Sequence, residues 1–149
     1  MRLWIAGVLL TAAFAQAGVV AGPSGGKLLD NEPPRAEFYI NAEHRVEIRF
    51  FDAELKPVTP AEQTAVVIAE APSGKVKLDL QKDGVVLTSA EALPEGDGYT
   101  IVVQLKSAPD AKNQNFRIVY HAEVCGECNR AEYACTCEHS GEDEHGHGH

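Results

Sequence analysis

Cations are scarce in this chain: 13 Lys and Arg stand against 22 Asp and Glu, a net charge of -9. That balance leaves no basic surface for neutralising phosphates, which excludes nucleic acid as a partner. Methionine and tryptophan occur once each, as Met1 and Trp4, so a soft-metal site in the body of the chain has to use cysteine and not thioether sulfur. Only one long apolar run exists, Leu3 to Phe14, and it is shorter than the roughly 18–20 residues that span a bilayer. A strained Gly-x-Ser-x-Gly turn is missing, and between Lys27 and His121 only His44 and His121 offer imidazole bases, so the sequence shows no catalytic triad and reads as a non-enzyme.

What is present begins with an address. Met1 and Arg2 precede the apolar run, which ends in small residues at Ala15-Gln16-Ala17 before Gly18. This is the pattern of a secretory signal peptide over residues 1–17, cleaved after Ala17. The mature chain is then periplasmic or secreted, without a membrane span, and starts with a flexible N-terminus over residues 18–26.

From residue 27 to 121 the hydrophobic period is two. Val46, Ile48 and Phe50 alternate with Arg45, Glu47 and Arg49; Val76, Leu78 and Leu80 alternate with Lys75, Lys77 and Asp79. Tyr99, Ile101, Val103 and Leu105 repeat the pattern, as do Phe116, Ile118 and Tyr120, while Phe38 to Ile40 adds a further strand. Thr64 to Ala69 is apolar at successive positions, which predicts a central strand covered on both faces. Turn signals at Pro57 to Pro60, Pro72-Ser73-Gly74, Asp83-Gly84, Pro94 to Gly98 and Ala108-Pro109-Asp110 bracket these segments. The expected fold is all-β, an immunoglobulin-like β-sandwich of about seven strands. His44, in the polar turn Asn41-Ala42-Glu43-His44, reads as a solvated surface side chain.

The stretch Leu93-Pro94-Glu95-Gly96-Asp97-Gly98-Tyr99 resembles the tyrosine corner of such sandwiches, which implies a structural role for Tyr99. More narrowly, Leu93 to Tyr120, a Gly-Tyr corner followed by two strands and a polar loop, resembles the end of periplasmic copper-resistance proteins of the CopC type. That likeness covers about a fifth of the chain. The N-terminal copper-binding His and the Met-rich loop of that family have no counterpart here, so none of its ligands carries over.

The last 29 residues, 121–149, hold all four cysteines, five of the six histidines and seven carboxylates against the single cation Arg130. Apolar periodicity stops, which predicts a largely irregular Cys/His-rich segment over residues 122–139 and a disordered acidic tail over 140–149. Cys125-Gly126-Glu127-Cys128 sets two sulfurs on one side of a tight turn, and Cys135-Thr136-Cys137 does the same in extended chain, because residues i and i+2 face one way. The six residues between the pairs allow them to close one tetrahedron around zinc, copper or another thiophilic ion, with His139 or His121 able to replace a sulfur. His145, His147 and His149 alternate with glycine behind Glu142-Asp143-Glu144, a composition suited to weak collection of ions by imidazole. The ending Glu-Tyr-Ala-Cys-Thr-Cys-x-His resembles that of small exported bacterial proteins associated with heavy-metal handling.

Two other readings of the cysteines stay open at this level. An even cysteine count in an exported chain also fits structural disulfides, Cys125 with Cys137 and Cys128 with Cys135 or the crossed pairing. A Cys-x-x-Cys dithiol redox site is the third, although the helix start of an α/β domain that such sites use is not offered. The sequence therefore points to a metal-binding protein that captures or buffers an ion, with a metal-efflux component or another envelope protein as partner. The alternative is an interaction module whose cysteines are tied off.

Overall fold

Strands form where the alternation was strongest, and in the computed structural model, which describes residues 20–137, they make nine segments in chain order. These are β1 (Lys27–Leu28), β2 (Arg35–Ile40), β3 (Arg45–Phe51), β4 (Pro57–Val58), β5 (Thr64–Ala71), β6 (Gly74–Asp83), β7 (Val86–Ala92), β8 (Tyr99–Lys106) and β9 (Gln114–Tyr120). All pairings are antiparallel, in the order β1-β2-β3-β7-β6-β5-β8-β9, with β4 on β3. The fold is all-β, as the alternation required, but the sheet is continuous and curls over on itself. β6 makes the turn: Gly74 to Asp79 pair with β5, and Leu80 to Asp83 pair with β7.

One face of every long strand supplies the core. Ala36 and Phe38 of β2, Val46, Ile48 and Phe50 of β3, Val67 and Ala69 of β5, Leu78 and Leu80 of β6, Leu87 of β7, Ile101 and Val103 of β8 and Ile118 and Tyr120 of β9 are all buried in one cluster. β5 is central, flanked by β6 and β8, but it is covered on one face only: Ala65, Val67, Ala69 and Ala71 are buried while Val66 and Ile68 on the other face remain partly exposed. The apolar side chains on its outer face are spaced for a sheet, and their hydrophobicity alone did not specify a second layer.

Two local features explain strand lengths that alternation missed. The register between β3 and β7 slips between Arg45 and Glu47, and the buried Ser89 hydroxyl fills the gap. It accepts the Val46 N–H at 3.0 Å and donates to the Glu91 carbonyl at 2.7 Å, so a bulge carries β7 on to Ala92 without an orphaned amide. In β2, Ala36, Glu37 and Phe38 are buried in succession, which erases the period-two signal there.

Glu37 is fully buried because a turn of the N-terminal segment lies over it. Its Oε1 accepts the amides of Ser24 and Gly26, both at 2.9 Å, and a side chain at Gly22 would collide with its carboxylate. Residues 20–26, within the stretch expected to be flexible, are thus fastened to the sheet. The tyrosine corner is present: the Tyr99 hydroxyl donates to the Pro94 carbonyl at 2.9 Å.

Residues 121–137 are irregular, as anticipated, apart from a 3₁₀ turn at Glu132–Ala134. They do not hang free of the core. Tyr133 and Ala134 are buried in the same cluster as the strands, and the Tyr133 hydroxyl accepts the Ile40 amide at 3.1 Å. The Tyr133 ring meets Phe38 edge-on at 5.7 Å and lies 6.3 Å from Tyr120. This plug fixes where the cysteines stand. No helix among the described residues is long and apolar enough to cross a membrane.

Candidate metal centre

The first pair of cysteines sits in a miniature hairpin. Val124 bridges Ala131, the Glu132 amide donates to the Glu123 carbonyl at 2.9 Å, and the Cys125 amide donates to the Arg130 carbonyl at 2.7 Å. Within it the Asn129 amide returns to the Cys125 carbonyl at 2.9 Å, and Asn129 takes a left-handed φ of 55°. Asparagine tolerates that region better than most residues, and the reversal turns the next amide, that of Arg130, onto the Cys128 sulfur. The amides of Cys128 and Glu127 point in the same way at Cys125 Sγ.

The second pair follows the plug directly. Ala134 is buried, Cys135 is extended with φ -62° and ψ 135°, and its amide closes the 3₁₀ turn on the Glu132 carbonyl. Extended chain places Cys135 and Cys137 on one side, facing the hairpin, and the Cys137 amide donates to Cys135 Sγ at 3.4 Å. Tyr133 therefore sets the distance between the two pairs.

All four sulfurs lie within 4.8 Å of one another. Cys125 to Cys135 is 3.3 Å, Cys128 to Cys135 is 3.7 Å and Cys125 to Cys137 is 3.9 Å. A tetrahedral ion with metal–sulfur bonds near 2.3 Å requires sulfur–sulfur edges of about 3.8 Å, which these separations bracket. No sulfur pair is at the bonding distance of about 2.05 Å that a disulfide demands, so none of the four cysteines is joined to another by a disulfide. Cys125 is buried and the other three are partly exposed, so an ion has a route in from solvent.

The thiols are electrostatically unequal. Cys128 is lowered to about 7, first by the Arg130 amide, and Cys125 is lowered by the amides of Cys128 and Glu127 together with the Cys135 thiol. Cys137 is raised, first by the Cys135 sulfur and then by burial. For Cys135 the Cys137 amide pulls downward, but burial and the Cys125 sulfur carry the balance upward. Two thiols are thus easier to ionise than an ordinary cysteine and two are harder, so an ion taken up by all four sulfurs would displace protons.

The sequence grouped Cys125, Cys128, Cys135 and Cys137 correctly. His121, considered able to replace a sulfur, stands outside that group: its Nδ1 lies 3.0 Å from the Asp97 carboxylate, which also accepts the Ala122 amide at 2.7 Å. Those two contacts, the Ala122 amide first, hold the Asp97 carboxyl below its usual range. His44 is exposed, as read, and its Nε2 pairs with the Tyr120 hydroxyl at 3.0 Å. His139, His145, His147 and His149 lie outside the described residues. Sequence reasoning missed Tyr133, for which the only signal was an aromatic residue between two cysteine pairs. It also missed Arg130, whose guanidinium reaches the Gly22 carbonyl at 3.4 Å and joins the hairpin to the N-terminal turn. The chain matches no family model, no curated protein and no solved structure.

Proposed function

We propose that this chain is an exported metal-binding protein that captures or buffers a thiophilic ion, with zinc or copper as its cargo, in the periplasm or outside the cell. The observation that carries this reading is the convergence of four cysteine sulfurs, none in a disulfide, at separations suited to one tetrahedral ion. Cys125, Cys128, Cys135 and Cys137 are the ligands in this reading, deprotonated as the ion enters. The imidazoles of His139, His145, His147 and His149 are low-affinity collectors that raise the local concentration of ions near the thiolates. A metal-efflux component or another envelope protein receives the ion by ligand exchange. The Ala15-Gln16-Ala17 pattern supports export, and the likeness of the ending to heavy-metal-associated exported proteins supports the setting.

The test is a combined metal analysis and thiol count on protein isolated from its native compartment without chelator or reductant. Near-stoichiometric metal, with thiols that become titratable only after chelation, is the expected result. Metal-free protein without a free thiol would refute the reading and leave the cysteines a structural role. For the tail, metal binding to a Cys-free variant is expected to fade below about pH 6.5, where imidazoles protonate.

A further inference from the structure

The four sulfurs are held by the fold to different degrees. Cys125 is bound through both its amide and its carbonyl inside the hairpin, and its side chain is buried. Cys128 occupies the same hairpin, one residue before the left-handed Asn129 that locks the reversal. Cys135 is joined to the plug, with its amide on the Glu132 carbonyl and the buried Ala134 beside it. Cys137 comes two residues after Cys135, and among the described residues its amide is turned only onto a neighbouring ligand, Cys135 Sγ. The Glu127 side chain stands against its sulfur. A rotation of the chain at Thr136 would carry Cys137 away without disturbing a core side chain or a backbone bond of the sandwich.

We infer that Cys137 is the leaving ligand: Cys125, Cys128 and Cys135 retain the ion through exchange, and the fourth position is where an incoming thiolate or imidazole enters. The inference rests on the metal-binding reading and adds a direction to it. In the exchange step a bond forms between the metal and the incoming sulfur or nitrogen as the metal–Cys137 bond breaks, and the released Cys137 thiolate takes a proton from water. The oxidation state of the metal does not change. An acceptor therefore approaches from the side of Cys137 and has to offer a soft or borderline donor.

Cobalt(II) is a suitable probe, because thiolate ligation gives it charge-transfer absorption that grows with the number of sulfurs. In the full-length protein, Cys137→Ser is expected to keep stoichiometric cobalt with about a quarter less thiolate charge-transfer intensity, and to release it to a chelator about tenfold faster than wild type. Cys128→Ser is expected to lose affinity by about a hundredfold. Cys137→Ala repeats the comparison without a residual oxygen donor. If Cys137→Ser weakens binding as much as Cys128→Ser, or releases cobalt at the wild-type rate, Cys137 is not the leaving ligand. If wild-type protein shows no thiolate–cobalt band at all, the site itself is overturned, and the ranking of its ligands falls with it.

Discussion

Replacing Tyr133 separates the contribution of the plug from that of the cysteines. Its ring is 7% exposed, packed edge-on against Phe38 and alongside Tyr120, and its hydroxyl is the acceptor for the partly buried Ile40 amide. Tyr133→Phe keeps the ring and orphans that amide, at a cost of about 1 kcal/mol. Tyr133→Ala removes the ring as well and leaves a cavity beside Phe38, at a cost of about 4 kcal/mol. For a domain of this size about 1 kcal/mol moves the melting temperature by about 4 °C, so the expected losses are about 4 °C and about 15 °C. Thermal denaturation of reduced, metal-free protein followed by circular dichroism reads both. Metal titration supplies the second half: the Phe variant should bind as wild type does, whereas in the Ala variant the ion has to order residues 131–135 itself and binds more weakly. A melting temperature for Tyr133→Ala within about 2 °C of wild type would show that the 3₁₀ turn is not part of the core, and would refute the claim that the sandwich positions the thiols.

Other outcomes follow from single contacts. Tyr99→Phe removes the bond to the Pro94 carbonyl and should cost about 1 kcal/mol in urea denaturation without changing metal affinity; a change in affinity would contradict the separation of corner and site. Gly26→Ala drives a methyl group against the Phe38 carbonyl and should destabilise the fold by about 2 kcal/mol, with faster amide exchange at Ser24; an unchanged exchange rate would mean that the turn over Glu37 is not held as described. In reduced, metal-free protein Cys128, lowered to about 7, loses its thiolate as pH falls through that value, so its alkylation should be half-maximal near pH 7. Cys137, raised, should label last at neutral pH, and equal labelling of the two by peptide mapping would sink the assignment.

The strands were legible wherever one face is buried and the other wet, since that asymmetry is what writes period two into a sequence. Val46-Ile48-Phe50 and Tyr99-Ile101-Val103-Leu105 are examples, and every one of these side chains is buried. The alternation faded where burial came from something other than the opposite layer. Glu37 is buried under a turn of the N-terminal segment, Ser89 in a bulge, and each looks in the sequence like a surface residue. The cysteine grouping was legible because Cys-x-x-Cys and Cys-x-Cys each fix a sulfur pair locally. What joins the two pairs was not, because two buried residues, Tyr133 and Ala134, are too few to set up a period. The curling of the sheet through β6 was equally invisible, since Leu78 and Leu80 continue one alternation while their backbones pair with different strands.

The plug also bears on which sulfurs can meet. Phe38, Ile40 and Tyr120, which receive Tyr133, all precede it in the chain, so its seat is made entirely of residues N-terminal to the one that fills it. Four cysteines meeting in an unfolded chain have three ways to pair. Here all nine described strands come before the first cysteine, and in the folded chain the seating of Tyr133 fixes one juxtaposition of the four sulfurs out of those open to an unfolded one.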